Sequence, residues 1–209
     1  MGALFRLSCL AVLIAVAGQP RAQGPIRRPP VVRPTPRLQS GDVVLQTSTS
    51  SRSALIRKAS KSPYSHVGLI EVAPDGVFVI EAVQPVSRTP WSTWRARGVG
   101  GRVTVLRPTD LSAQSAAAIV SAAKADLGKP YDARYRWDDE RLYCSELVTK
   151  AYERGAGRTV GRQEQVSTLS LSAADLELGR RLGVDPAQAL VTPASLAEDG
   201  AFTVVHTDF

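Results

Sequence analysis

Reactive side chains are scarce in this sequence. Its 209 residues include two cysteines and two histidines. Cys9 lies in the apolar N-terminal stretch, so removal of that stretch would leave Cys144 as the one cysteine. A chain with one cysteine forms no internal disulfide, which excludes a disulfide-stapled fold. One cysteine and two distant histidines, His66 and His206, also lack the spacing of a metal site, so no metal or other cofactor is expected.

Acidic residues are absent from the first part of the chain. Residues 1–40 carry six arginines and no acid, whereas the remainder holds 20 basic and 19 acidic residues. The net charge of +7 therefore belongs to the N-terminal region and not to the folded part. A nearly neutral domain lacks the basic face that binds nucleic acid, and no nucleic-acid partner is expected.

Residues 1–17 have the three-part pattern of a secretory signal peptide. Arg6 precedes an uncharged apolar run, and Ala15 and Ala17 supply the small residues at a cleavage site. Ala22 is an alternative end. The run is too short to cross a bilayer, which takes about 20 residues. The mature chain is therefore predicted to be exported, either into the periplasm or out of the cell.

Residues 18–40 are predicted to be a linker. They contain six prolines and no periodic apolar face, which is typical of an extended, solvated segment. The arginines of this linker favour peripheral association with an anionic cell envelope, and a passive spacer is the alternative. Residues 41–209 then form one domain of ordinary size.

Within this domain, strand signals come before most helix signals. The predicted strands are GDVVLQ (41–46), SHVGLIEV (65–72), VFVIEAV (77–83), RVTVLRP (102–108) and FTVVHT (202–207). A Pro-Asp-Gly turn at 74–76 joins the second and third into a hairpin. The predicted helices are 51–60, 112–128, 144–154 (ending at Gly155) and 172–182. This order favours an α+β domain over a parallel βαβ series.

Cys144 lies where the third predicted helix begins. The unpaired N–H groups and the positive dipole at a helix start stabilise a thiolate and lower its pKa, as a nucleophile requires. A buried structural cysteine is the alternative, since free cysteines are often buried.

A thiol nucleophile needs a base, and His66 is the better of the two histidines. Gly68 shares its strand face and leaves room beside the imidazole, whereas His206 lies in the last four residues, where fraying is expected. Glu81 is half buried on the neighbouring strand, and the hairpin would bring it close to His66 and orient the ring. The alternatives are a structural histidine and a glutamate that turns into solvent. Weaker candidates for the orienting group are Asp42, Gln46 and Gln84.

The segments GDVVLQ, SHVGLI, VFVIEAV, LGKPYD and YCSELV occur in an order that resembles the permuted NlpC/P60 cysteine hydrolases, in particular the YiiX/YaeF-like branch. The resemblance implies a circularly permuted papain-like fold, in which an antiparallel sheet or small barrel packs against helices that include the nucleophile helix. It covers about residues 41–155 and 191–205. The segment 159–188 matches no part of that family.

Carried over residue by residue, the resemblance implies that Cys144 is the nucleophile, His66 the base and Glu81 the orienting group. Tyr143, beside the nucleophile, and Tyr64, beside the histidine strand, are expected to contact the substrate. The implied reaction is covalent acyl transfer, with the oxyanion stabilised by N–H groups at the helix start.

Two tryptophans are further candidates for substrate binding. Trp91 and Trp94 lie with three arginines in the segment 87–101, which is predicted to be a loop. Such a loop would recognise an anionic or amphipathic substrate. The alternative is that the tryptophans cap the barrel.

The implied substrate follows from the family and from the predicted export. Relatives in the wider family cleave peptide amides in bacterial cell walls, and other permuted members act on lipid acyl groups. The expected partner is therefore a peptide, a peptidoglycan fragment or a lipid amide, and the expected protein is an exported amidase or peptidase. A lipid-directed acyl hydrolase, acyltransferase or thioesterase and a non-catalytic binding module are the alternatives.

Overall fold

The structure is a computed structural model, and it describes residues 36–209. The predicted signal peptide and most of the predicted linker lie outside the described residues. In the described part, no helix has the length and apolar character needed to cross a bilayer. The end of the predicted linker contacts the domain, since Leu38 packs against a cluster of buried side chains and the Arg37 carbonyl accepts a hydrogen bond from Arg107.

One antiparallel sheet organises the domain. Its strands are β1 (Val43–Gln46), β2 (His66–Ala73), β3 (Gly76–Glu81), β4 (Ser87–Pro90), β5 (Thr104–Pro108) and β8 (Phe202–Thr207). They lie in the order β4-β3-β2-β1-β5-β8, and each neighbouring pair is antiparallel. A smaller sheet pairs β6 (Gln163–Gln165) with β7 (Ala189–Val191).

Helices complete the α+β fold. They are α1 (Ser53–Ser60), α2 (Trp91–Arg97), α3 (Ala113–Lys124), α4 (Cys144–Ala156), α5 (Ala173–Arg181) and α6 (Pro193–Ala197). The predicted fold class, an antiparallel sheet packed against helices that include the one starting at Cys144, is confirmed.

The prediction that the Cys144 helix stops at Gly155 is wrong. The helix continues to Ala156, and Gly157 caps it with a φ of 62°. Gly155 instead allows α4 to approach α3, because a Cβ atom there would lie 2.5 Å from backbone atoms of Ile119.

The two faces of the sheet bury separate apolar clusters, as strand alternation dictates. On one face, Val67 and Leu69 pack against α3 and α4. On the other face, Ile70 packs against Trp91 and Trp94 of α2. The active-site elements thus rest on a sheet that is covered on both sides.

The prediction that residues 87–101 form a loop is wrong. This segment contains β4 and α2, and the side chains of Trp91 and Trp94 are buried, with 9% and 0% exposure. Their rings stack at 5.7 Å between centroids. Both tryptophans are therefore core residues that cover the sheet, and neither ring is presented to a substrate as predicted.

Candidate active site

Cys144 is the first residue of α4, as predicted. The preceding residue, Tyr143, is extended (φ −99°, ψ 168°), so the helix begins abruptly at the cysteine. The His66 side chain and the backbone of Val67 lie close enough to the sulfur to stabilise its charged form, and the Ser145 hydroxyl lies 4.0 Å from it. The start of α4 therefore holds the thiol against the start of β2.

His66 and Glu81 meet because β2 and β3 form a hairpin. His66 begins β2 and Glu81 ends β3, and the imidazole Nε2 lies 2.6 Å from the carboxylate Oε2. Gly68 lies on β2 beside Glu81, and a Cβ atom there would come within 2.3 Å of the Val79 side chain. Glycine at this position thus allows the close packing beside the pair.

Glu81 is a fully buried carboxylate whose oxygens are satisfied. Besides His66, it accepts a hydrogen bond of 2.6 Å from the Thr89 hydroxyl and another from the Arg97 guanidinium. Burial alone would raise the pKa of Glu81, but the hydrogen bond and charge of His66, with the contributions of Thr89 and Arg97, outweigh it and lower the pKa. The carboxylate therefore stays ionised, and the alternative that it turns into solvent is excluded.

The thiol and the imidazole favour each other's charged forms. Burial opposes the imidazolium, but hydrogen bonds and charges from Cys144 and Glu81 outweigh it and raise the pKa of His66 to about 9. Burial also opposes the thiolate, yet the hydrogen bond and charge of His66 lower the pKa of Cys144. The two groups thus stabilise each other as a thiolate–imidazolium pair, which is the reactive state of a cysteine nucleophile.

Two cavities meet at the sulfur. The first, here called the polar cleft, has a volume of about 350 Å³ and includes His66, Arg97 and Tyr131 in its wall. The second, here called the apolar pocket, has a volume of about 250 Å³. Cys144 is only 5% exposed, yet it lines both cavities, so small molecules can reach it.

The segment 159–188, for which the sequence predicted no counterpart in the family, supplies much of the wall of the apolar pocket. This segment supplies aliphatic side chains to the wall, among them Val166, Leu169, Leu171, Leu176, Leu182 and Val184. Lys58 of α1 forms an ion pair of 2.5 Å with Asp175 of α5, and the Ala59 carbonyl accepts a hydrogen bond from the Ser170 N–H. The segment 159–188 is thereby placed beside Cys144, which lines the same pocket.

The two tyrosines predicted to contact substrate lie in different places. Tyr143 is buried in the wall of the apolar pocket, where its hydroxyl accepts a hydrogen bond of 3.0 Å from the Val191 N–H. Tyr64 hydrogen-bonds Thr104 at 2.9 Å and packs edge-on against Phe209. Because Tyr64 lines neither cavity at the sulfur, the structure does not place it in contact with a substrate there.

None of the weaker candidates for the group that orients His66 replaces Glu81 in that position. Gln46 lies opposite His66 on β1 and lines the polar cleft, and Gln84 lines the cleft while accepting a hydrogen bond from the Tyr131 N–H. Asp42 instead forms an ion pair of 2.8 Å with Arg107. Of these groups, Glu81 is the one bonded to the imidazole.

Two aromatic residues near the thiol were not assigned a role from the sequence. Tyr131 and Tyr135 hydrogen-bond each other, and burial together with the neighbouring thiolate of Cys144 raises the pKa of both phenols. Tyr135 has a φ of 55°, an uncommon conformation for an aromatic residue that suggests a constrained loop. The cluster of aromatic residues just before α4 was the feature of the sequence that could have indicated their place near the thiol.

A buried ion pair within α4 stabilises the start of this helix. The Glu146 carboxylate accepts a hydrogen bond of 3.3 Å from the Tyr143 N–H and lies 2.8 Å from the Lys150 ammonium. Burial raises the pKa of Glu146 to about 7, although Lys150 opposes that rise. This pair anchors the residue that precedes the nucleophile.

The comparisons with known proteins show the family of this chain. A sequence model described as "Permuted papain-like amidase enzyme, YaeF/YiiX, C92 family" matches residues 37–206. The match includes the segment 159–188, so the prediction that this segment matches no part of the family is wrong. The chain belongs to this family of permuted papain-like amidases. The protein YiiX of Escherichia coli strain K12, itself described as uncharacterized, is 36% identical over 176 residues, covering 82% of this chain and 87% of its own length.

A solved structure supports the same fold. It is described as the metalloprotein YiiX from Escherichia coli O157:H7, and it superposes with a TM-score of 0.77 at 35% identity, covering 82% of this chain and 98% of its own. Within residues 36–209 of the present chain, no group of three or more His, Cys, Asp or Glu side chains is placed to hold a metal ion.

Proposed function

We propose that this member of the family is a cysteine amidase that cleaves an amide bond by covalent acyl transfer. Cys144 is the nucleophile, His66 the general acid and base, and Glu81 the group that orients His66. The observation that supports this proposal is the chain of interactions from sulfur to imidazole to buried carboxylate, in which the imidazole Nε2 lies 2.6 Å from the Glu81 carboxylate. Such a chain meets the requirements of a nucleophilic triad.

The reaction follows from the charges in this chain. The Cys144 thiolate attacks the amide carbonyl, a carbon–sulfur bond forms, and the His66 imidazolium gives its proton to the departing amine. Neutral His66 then takes a proton from water, whose oxygen attacks the thioester and releases the acid and the thiol. N–H groups in the first turn of α4 have no helical acceptors and can stabilise the oxyanion of both tetrahedral intermediates.

Alkylation with iodoacetamide tests the reactive pair without a substrate. We expect Cys144 to react well below pH 8, and the His66→Ala variant to react only as the pH approaches the ordinary thiol pKa of about 8.5. Peptide mapping distinguishes Cys144 from Cys9, and Cys144→Ala gives the background. Reaction of wild-type Cys144 only above pH 8 would contradict the proposed nucleophile.

We further propose that the protein acts on a substrate of the cell envelope. The support is the leader pattern of residues 1–17 and the arginine-rich linker at 18–40. We expect the purified mature chain to begin after Ala17 or Ala22, which intact-mass measurement checks. Recovery of the uncleaved chain from the cytoplasm would contradict export.

The apolar pocket favours a second candidate, a lipid-directed acyl hydrolase or acyltransferase that uses the same nucleophile. The pocket opens onto the sulfur and is lined mostly by aliphatic side chains, which suit a hydrocarbon acyl chain. Each methylene buried there contributes about 0.8 kcal/mol, or roughly a fourfold gain in kcat/KM. A series of N-acyl amides of rising chain length should show this gain until the pocket is filled.

Two variants of α5 make this chain-length test specific. Leu176→Arg places a charge in the pocket wall, whereas Ala174→Arg places it on the exposed side of the same helix. We expect only Leu176→Arg to remove the dependence on chain length. A flat chain-length series for the wild type would favour the peptide-directed amidase.

A further inference from the structure

Three residues line both the polar cleft and the apolar pocket: Arg52, Ile56 and Cys144. A substrate held across the sulfur, with one end in each cavity, must therefore pass close to Arg52. Of the three shared residues, Arg52 alone carries a permanent charge. The junction of the two cavities thus has a fixed positive group beside the reacting atom.

The charge of Arg52 is not used by a carboxylate of the described domain. Arg52 precedes α1 and is exposed, and its guanidinium lies 5.8 Å from the centre of the Tyr131 ring. Across residues 36–209, no acidic side chain pairs with Arg52. Its guanidinium therefore keeps donors that an incoming anion can occupy.

The rest of the polar cleft also favours an anion. His66 and Arg97 add positive charge to its wall, and none of the described residues that line it is acidic. The carboxylate of Glu81 lies beneath this wall, where its oxygens are occupied by His66, Thr89 and Arg97. The exposed hydroxyls of Ser48 and Ser50, 3.0 Å apart, supply further donors near Arg52.

We propose that Arg52 determines specificity for amphiphilic amides that carry an anionic group, a carboxylate or a phosphate, on the amine side of the scissile bond. The hydrocarbon acyl chain then occupies the apolar pocket, and the anion occupies the polar cleft beside Arg52. This inference rests on the proposed acyl-transfer function of the same site. Arg52 binds the leaving portion of the substrate and takes no part in bond cleavage.

Matched pairs of probes test the preference for charge. The carboxylate pair is N-lauroylglycine and neutral N-lauroylglycinamide, and the phosphate pair is N-lauroyl phosphoethanolamine and neutral N-lauroylethanolamine. Each hydrolysis consumes one water and releases laurate and a primary amine, which fluorescamine detects. We expect the wild type to favour the charged probe of at least one pair by about ten- to a hundredfold in kcat/KM, as a charge-assisted hydrogen bond provides. The pair with the larger ratio identifies the anion.

Two variants assign this preference to Arg52. We expect Arg52→Gln to bring the charged-to-neutral ratio close to one, and Arg52→Lys to keep part of it. Arg57→Gln removes an exposed arginine of α1 that lines neither cavity, and should keep the wild-type ratio. Because each ratio is measured on one preparation, differences in the amount of folded enzyme cancel. A ratio that Arg52→Gln leaves unchanged, or a wild type without preference in either pair, would overturn the proposal.

Binding measurements test the role of Arg52 independently of the proposed amide hydrolysis. In the Cys144→Ala variant, calorimetry measures the affinity of each probe without turnover, and Arg52→Gln in that background should abolish the preference for the charged probe. If the wild type hydrolyses no probe but binding still depends on Arg52, the inference stands and the amidase proposal fails. If hydrolysis occurs and neither turnover nor binding responds to Arg52, the amidase stands and this inference fails.

Discussion

The role of Glu81 can be tested by removing its charge while keeping its shape. In Glu81→Gln, the amide still fills the buried position between His66 and Thr89, but the negative charge 2.6 Å from the imidazole is lost. A nearby opposite charge raises the pKa of a histidine by about 1 to 3 pH units. Because Cys144 also contributes to the pKa of about 9 at His66, we expect the variant to retain part of the rise, with a midpoint at least about 1 pH unit lower.

NMR titration of the two histidine rings measures this midpoint directly, and a His66→Gln spectrum assigns them. The sign of the effect follows from the role of His66 as the acid that protonates the leaving amine. The imidazolium is present below its pKa, so the alkaline limb of activity should move to lower pH together with the NMR midpoint. Glu140→Gln, an exposed acid outside both cavities, is the matched control. Equal midpoints in the wild type and Glu81→Gln would refute the assignment of Glu81.

Three further predictions concern the support of the site. Gly155→Ala should lower the free energy of unfolding by about 1 to 3 kcal/mol in denaturant titrations, because its Cβ would overlap the Ile119 backbone, whereas Gly200→Ala, with open space around it, should be nearly neutral. Lys150→Met should cost about 3 to 5 kcal/mol because it leaves Glu146 buried without its cation, and Glu146→Gln combined with Lys150→Met should recover most of this loss. Since the folded protein keeps a proton on Glu146 up to a pKa of about 7, its contribution to stability should decline as the pH rises from 4.5 to 7, and Glu146→Gln should remove that decline in thermal melts.

The hairpin that joins His66 to Glu81 was predictable because the sequence features that specify it lie within a short stretch of the chain. Alternating apolar residues fix which side chains share a face, and the Pro-Asp-Gly turn fixes the pairing of the two strands. Once the register is known, a histidine at the start of one strand must lie near a glutamate at the end of the other. The position of Cys144 was predictable for a similar reason, since an amphipathic pattern begins directly after it.

The role of Gly155 was not predictable, because it depends on a neighbour far along the chain. A glycine near the end of an apolar helical pattern looks like a helix stop, and Gly157 two residues later gives the same signal. Only the approach of α3 at Ile119 shows which glycine caps the helix and which allows close packing. Trp91 and Trp94 were misplaced for the same reason, since their burial depends on the far face of the sheet.

The apolar pocket could not be predicted from local sequence patterns, because its wall is assembled from distant segments. Aliphatic side chains of its wall come from α1, from the loop before α4 and from the segment 159–188. The sequence of none of these three segments contains a pattern that predicts a binding site. Contacts of Lys58 with Asp175 and of Ala59 with Ser170 join α1 to α5 and to the chain just before it. The proposed catalytic residues therefore lie in a hairpin and a helix start, which local patterns predict, whereas the pocket proposed to select the substrate depends on contacts between segments more than a hundred residues apart, such as the Lys58–Asp175 pair.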